Sequence, residues 1–493
     1  MQRIIHIEGG VVGMPEWKMA TPVNFDLCDG EHIAIVGPNG GGKSMFVDIL
    51  TGRHPLLDQR PEYDFSPSRK QLISENIKYI TFKDSYGSDN DRTYYLQQRW
   101  NQQEIDETTP TVADELKSAG QLAGQDAVGH RAKLQHLCTL FHLDTLFDRH
   151  TITLSSGELR KLQLTKVLLA APRVLIIDNP FIGLDTETRE QLTEVLAQLS
   201  REQALQLVLV FSKSDNLPAF ITHVVKVEGL TVATKITRDA YLANRSPYPA
   251  HLLDTRRKEE ILRLPGDDND YNAPEVVRMN KVSIRYGQRT ILKELDWTVR
   301  NGERWALTGQ NGAGKSTLLS LVCADNPQSY ACNISLFGRA RGTGESIWDI
   351  KKHIGYVSPE MHRAYKYNIP SIKIVASGLK DSVGLYFNPT DAEYEKCRFW
   401  MRIFGIEKLE NRPFLKLSSG EQRLMLLARA FVKDPELLIL DEPLHGLDDA
   451  NRLLVRDVID TFSRRKNKTI IMVSHYQEEF PACIDHKIYL QKN

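Results

Sequence analysis

The chain has 493 residues, with 63 Lys plus Arg against 63 Asp plus Glu and a formal net charge of +0 at pH 7. That length exceeds one ordinary domain and leaves room for two cores, while the charge balance excludes attachment to nucleic acid through a general basic excess. No run reaches the ~18 apolar residues of a membrane span, the N-terminus MQRIIHIEGG lacks the apolar core of a signal peptide, and the six cysteines form no CxxC pair, so a reduced, cytoplasmic chain is expected.

In chain order, HIAIVG reads as a buried strand running into the glycine-rich loop GPNGGGKS, Gly37 to Ser44, and SMFVDILTG as the helix that follows. Asp84 to Glu104 is a polar insertion rich in Gln and aromatic residues. Its Tyr94, Tyr95, Arg99 and Trp100 suit either a partner-docking surface or an amphipathic helix covering its own domain. Next come LSSGE, with Ser155 and Gly157, the strand RVLIIDN carrying Asp178 and Asn179, and the strand LQLVLVFS, after which stands Lys213. Residues 239–274 read as a linker, helical at first and then broken by Pro, Gly and Asp; the basic triplets Arg256, Arg257, Lys258 and, later, Arg464, Arg465, Lys466 read as solvated helix faces.

The same order then repeats. RWALTG enters GQNGAGKS, Gly309 to Ser316, with the helix STLLSLVCA behind it; a second LSSGE supplies Ser418 and Gly420; ELLILDE carries Asp441 and Glu442, and TIIMVSH ends at His475. Ser155 to Ser418 and Asp178 to Asp441 are both offset by 263 residues, whereas Lys43 to Lys315 is offset by 272, so the second copy is shorter between loop and signature. The expectation is two tandem P-loop nucleotide-binding domains of α/β class, residues 1–238 and 275–493, each a mainly parallel sheet covered by helices.

A glycine loop entering a helix presents successive backbone N–H groups to phosphate oxygens, and its lysine adds a mobile positive charge. The expected nucleotide-binding groups are Gly37, Asn39, Gly40, Gly42, Lys43 and Ser44 in the first copy, and Gly309, Asn311, Gly312, Gly314, Lys315, Ser316 and Thr317 in the second. Ser44 with Asp178, and Ser316 with Asp441, offer the oxygen ligands that Mg²⁺ prefers. The copies differ where hydrolysis needs a base: Glu442 follows Asp441, but Asn179 follows Asp178, and an amide cannot accept a proton from water. His475 likewise faces Lys213 across the repeat. One hydrolytic site, using Glu442, His475 and Lys315, and one holding site are expected.

The order of phosphate loop, LSSGE, acidic strand, GLD and terminal SH resembles the ATP-binding-cassette ATPases across nearly the whole chain. That resemblance implies a helical signature subdomain in each copy and head-to-tail pairing of the two cassettes within one chain. Ser155 and Gly157 would then complete the site of the second loop, and Ser418 and Gly420 that of the first. It also implies adenine stacking on Tyr286 in VSIRYG, a γ-phosphate contact from His475, and a connecting role for Asp185 and Asp448. No aromatic in IHIEGGVVGM matches Tyr286 in the first copy. IGYVSPE and IKYITFK lack the glutamine with which such cassettes sense a membrane partner, although Glu360 stands near its place. FGRARGTGESIWDIKKHIGYVSPE, with LDEPLHGLD, resembles the duplicated ATP-binding proteins of bacterial molybdate-transport loci. This implies a separate transmembrane permease as partner and a peripheral place at the inner membrane; the alternative is a soluble cassette ATPase acting on RNA, DNA or a protein.

Overall fold

A computed structural model describes residues 2–57, 60–81, 110–122, 127–151, 154, 156–181, 184, 186–201, 205–212, 217–244, 253–265, 273–287, 289–310 and 312–492. The insertion at 84–104, Lys213 and Asp185 lie outside them. The chain divides into two compact units, which part between Tyr248 and Pro249.

In the first unit the strands are β1 (Arg3–Gly10), β2 (Val23–Cys28), β3 (Ile33–Val36), β4 (Glu62–Tyr63), β5 (Ile77–Thr81), β6 (Val174–Asp178), β7 (Gln206–Phe211), β8 (His223–Glu228), β9 (Thr231–Val232) and β10 (Ile236–Thr237). The parallel core runs β8-β3-β7-β6-β5, with β10 antiparallel on the β8 edge, and a separate antiparallel sheet runs β2-β1-β4. β-Branched and leucine-rich runs without polar alternation form strands buried on both faces. Along β6, Leu175 and Ile177 enter one apolar cluster while Val174 and Ile176 enter the other, the period-two alternation of a pleated strand.

The second unit contains β11 (Glu275–Tyr286), β12 (Arg289–Arg300), β13 (Arg304–Gly309), β14 (Ile334–Leu336), β15 (Arg339–Ala340), β16 (Ile354–Val357), β17 (Leu437–Asp441), β18 (Thr469–Val473) and β19 (His486–Leu490). Its parallel sheet, β16-β17-β18-β13-β19, repeats the first unit's order element for element, and its antiparallel sheet runs β12-β11-β14-β15. The expected α/β class therefore holds in both units, and every strand expected beside a motif forms.

Within the stretch 239–274, the helix Thr255–Leu262 packs on the second unit. Asp254 caps it by accepting from the Arg257 N–H at 2.7 Å. Leu253 and Ile261 enter the core beneath the helix Asp449–Ser463, while Asp457 of that helix accepts from the Leu253 N–H at 3.0 Å and pairs with Lys258 at 3.0 Å. Arg402 pairs with Glu260 at 3.1 Å, and Arg465 donates to the Leu264 carbonyl at 3.1 Å. Arg465, the middle member of the second basic triplet, is buried and with Lys468 turns onto Asp434, so at that residue the expected solvated face is replaced by an internal ion pair. Among the described residues no helix is long and apolar enough to cross a membrane.

Candidate nucleotide sites

Each phosphate loop joins the carboxyl end of a central parallel strand, β3 or β13, to a helix, Lys43–Leu50 or Lys315–Val322. The crevice beyond strand ends is where open α/β sheets take ligands. Gly42 and Gly314 cap these helices with φ of 104° and 95°, a conformation that side chains resist. Gly37 and Gly309 end their strands against the neighbouring backbone; a Cβ there would lie 1.9 Å from the Val227 carbonyl oxygen or 2.4 Å from that of Leu490. Lys43 Nζ donates to the carbonyls of Gly37 and Pro38, both at 2.8 Å, and Lys315 Nζ to those of Gly309 at 2.7 Å and Gln310 at 3.0 Å. Both lysines thus arch over their own loops. Ser44, Gly40, Ser316 and Gly312 are exposed, Asn39 is half-buried and Thr317 is buried; Asn311 lies outside the described residues.

Beside these loops stand the acidic strands. In the second unit Glu442 Oε1 lies 2.9 Å from His475 Nε2, and both side chains are largely buried. Burial alone would raise the Glu442 carboxyl, but the hydrogen bond and charge of His475, with His445 and Lys315 adding to them, bring it down to about 2. A carboxylate is the form able to take a proton.

The first unit builds a different object at the same place. Asn179 Nδ2 donates to Asp178 Oδ1 at 2.8 Å, its Oδ1 accepts from the Ser212 N–H at 3.1 Å, and Tyr79 donates its hydroxyl to Asp178 Oδ2 at 3.1 Å. The amide uses both ends to tie β6 to the end of β7. Burial and the adjoining Asp178 push the Tyr79 phenol far up, so it stays a donor.

A cation beside bound phosphates would find one exposed serine hydroxyl and one strand-end carboxylate in each unit. This oxygen-only set suits Mg²⁺, which keeps waters and phosphate oxygens for its remaining ligands. Among the described residues no cluster of three or more His, Cys, Asp or Glu could hold a metal unaided.

The remaining sequence candidates have local structural roles. Ser418 caps the helix Ser419–Phe431, and Glu421 closes a capping box by accepting from the Ser418 N–H at 2.7 Å. Asp448 caps Asp449–Ser463, accepting from the Asn451 N–H at 2.8 Å. Gly420 is buried in its helix. Gly157 lies where a Cβ would meet Thr188 at 2.8 Å; Ser155 lies outside the described residues. Tyr286 is half-buried and its hydroxyl accepts from Asn326 Nδ2 at 2.9 Å.

Sequence reasoning missed two features. Arg423, buried, donates through Nη2 to the carbonyls of Asp441 at 2.9 Å and Glu442, and its Nε lies 3.4 Å from the Pro443 carbonyl. Arg160 donates to the Pro180 carbonyl at 2.9 Å. An arginine five places after Ser155 and again after Ser418 was the available signal. The other is Trp17, 38% exposed and stacked on His54 at 4.9 Å. It precedes Lys43 by 26 residues, near the 29 between Tyr286 and Lys315, and stands three residues beyond the end of IHIEGGVVGM.

Comparison with known proteins matches the chain to the family described as "ABC transporter" over residues 20–182 and 292–445. It is 38% identical to the ABC transporter ATP-binding protein ModF of Escherichia coli over 98% of this chain and 96% of that protein. An uncharacterized ABC transporter ATP-binding protein of Schizosaccharomyces pombe is 28% identical over 95% of this chain and 94% of its own length. A solved structure titled as ribosome-bound archaeal Pelota and ABCE1 aligns with a TM-score of 0.53 at 20% identity, covering 91% of this chain and 70% of that one. That last likeness shows the fold alone.

Proposed function

We propose, because the chain belongs to the ABC transporter family of ATP-binding ATPases, that it holds ATP in both units and hydrolyses it mainly in the second. The observation that carries this reading is the contrast between Glu442, charged and paired with His475, and Asn179, whose amide is tied to Asp178 and the Ser212 N–H.

In the proposed reaction, Gly309, Gly312, Gly314 and the helix N-terminus at Lys315 surround the phosphate oxygens, with the Lys315 ammonium turning from its loop carbonyls to the outer phosphates. Glu442 orients a water on the γ-phosphorus and takes its proton as the new P–O bond forms and the bond to the ADP oxygen breaks, leaving ADP and phosphate. Ser316 and Asp441 would hold Mg²⁺, which when bound neutralises charge on the phosphates. His475 holds Glu442 and reaches the γ-phosphate. Tyr286, and Trp17 in the first unit, are the aromatic faces offered to adenine.

For the physiological role, likeness to a transporter ATP-binding protein over almost its full length favours the ATPase component of a transport system, and the resemblance carried by FGRARGTGESIWDIKKHIGYVSPE and LDEPLHGLD supports a molybdate-type system with a separate permease. The second reading, a cassette ATPase acting on RNA, DNA or a protein partner, draws on the missing glutamines in IGYVSPE and IKYITFK.

Steady-state ATP hydrolysis by the wild type and Glu442→Gln, with retained nucleotide quantified, tests the catalytic reading. Turnover by the wild type alone, with ATP trapped in the variant, is expected; equal turnover by both would overturn it. Copurification with a membrane permease tests the transport role, and its absence from a clean pull-down counts against that role.

A further inference from the structure

We propose that His445 is a positioning residue for the hydrolytic carboxylate, holding the Oε2 side of Glu442 while His475 holds Oε1. The proposal rests on the reading of Glu442 as the base. His445 Nδ1 stands 4.0 Å from Glu442 Oε2, and the His445 side chain is largely buried. The approach is built into the backbone. The His445 N–H donates to the Glu442 carbonyl at 3.1 Å, closing a turn through Pro443 and Leu444, with φ of 50° at Glu442 and 76° at Gly446 bounding it. That turn brings the imidazole back over the residue that begins it.

The distance itself has a consequence. His475 at 2.9 Å makes a hydrogen bond and occupies Oε1, whereas 4.0 Å is too long for one. His445 therefore fences Oε2 and attracts it without taking its lone pairs, which remain for the water to be deprotonated. A buried carboxylate with one partner can rotate about its last torsion, which has broad preferences; a group on each side fixes its plane. The other half of the duplication agrees: DNPFIGLD places Ile182 where DEPLHGLD places His445. The imidazole accompanies the glutamate, and an apolar side chain accompanies the asparagine.

The test measures kcat and KM for ATP separately in full-length His445→Ile, His445→Gln and Glu442→Gln, and in the double variant His445→Ile with Glu442→Gln. Thermal unfolding and equilibrium ATP binding confirm that each is folded. Misplacing a catalytic group costs up to about a hundredfold, so His445→Ile should lower kcat tenfold or more at unchanged KM. His445→Gln, which keeps a polar side chain of similar reach beside Oε2, should recover most of the loss, and the double variant should turn over no more slowly than Glu442→Gln alone. If Glu442→Gln is inactive while His445→Ile turns over as the wild type does, the positioning role fails and the base assignment stands. If Glu442→Gln keeps wild-type turnover, the base assignment fails and takes the positioning role with it. A rise in KM without a fall in kcat would move His445 to nucleotide binding and also overturn the proposal.

Discussion

Asn179 and Glu442 occupy one position of the repeated strand and share a left-handed backbone, with φ of 49° and 50°. Each N–H donates to the neighbouring strand, to the Val210 carbonyl at 2.8 Å and the Val473 carbonyl at 3.0 Å. The same strained turn thus aims two different side chains, and their chemistry separates the units. Replacing Asn179 by Ala removes the donor to Asp178 and the acceptor for the Ser212 N–H. Asp178 keeps the Tyr79 donor, but the Ser212 N–H loses this acceptor, and stripping a hydrogen bond from a part-buried polar group costs roughly 1–3 kcal/mol, so Asn179→Ala should lower the melting temperature by several degrees while ATP turnover stays largely intact. A steady-state assay and thermal unfolding check the two halves of that expectation, and a collapse of turnover would give Asn179 a role in hydrolysis. At Glu442 the prediction concerns pH. Its folded carboxyl is held at about 2 against an unfolded value near 4.5. The stability it contributes is fully present above pH 4.5 and is lost as pH falls towards 2. Denaturation of wild type and Glu442→Gln between pH 7 and pH 3 should show their stability difference shifting against the wild type on acidification; a shift in the opposite direction would contradict the pairing with His475.

At the scale of elements, the signature helix Ser419–Phe431 reaches the end of the acidic strand through Arg423. Arg423 gathers the carbonyls of Asp441, Glu442 and Pro443, so helix and strand end are held together around the residue proposed as base. Lysine carries the charge but cannot reproduce a planar fork. Arg423→Lys should therefore retain ATP binding while lowering kcat, read from turnover beside equilibrium binding, with a matching loss of both pointing to misfolding instead. The helix Thr255–Leu262 supports a second prediction. Leu253 and Ile261 are buried in the second unit, so a fragment beginning at residue 275 should melt lower, or aggregate more, than one beginning at residue 253; burying an aliphatic side chain is worth ~1.5–3 kcal/mol. Equal melting temperatures would mean that the helix only rests on the surface. These two elements also mark the limit of sequence reading. The parallel strands were legible because their β-branched runs lack polar alternation, and the phosphate loops because only glycine fits where Gly37 and Gly309 meet the next strand. Arg423 was not, since its partners are backbone carbonyls brought close by folding. TRRKEEIL reads as a solvated helix from its charges, and the two apolar anchors that dock it lie at its margins.

The chain repeats one sheet order in two units, but among the described residues the strand-end glutamate paired with a histidine stands in the second, so on the proposed reading binding and turnover should separate by stoichiometry. Both glycine loops retain their lysine, helix N-terminus and exposed serine, and none of these depends on the residue after the strand-end aspartate. Glu442→Gln should consequently retain two ATP per chain. Adding Lys43→Ala should reduce that to one, because it removes the positive charge from the first loop, and Lys315→Ala added instead should do the same from the other side. The turnover experiment breaks this symmetry: in the otherwise native chain, Lys315→Ala should abolish most hydrolysis, since it removes a group aimed at transition-state charge, whereas Lys43→Ala should remove a bound nucleotide that is not being consumed. Counting retained nucleotide per chain while measuring phosphate release in the same samples distinguishes two working sites from one working and one holding site. Equal losses of turnover for the two lysine variants would mean that the first unit's nucleotide is required for hydrolysis in the second, and that the asymmetry at Asn179 separates the roles of two coupled sites.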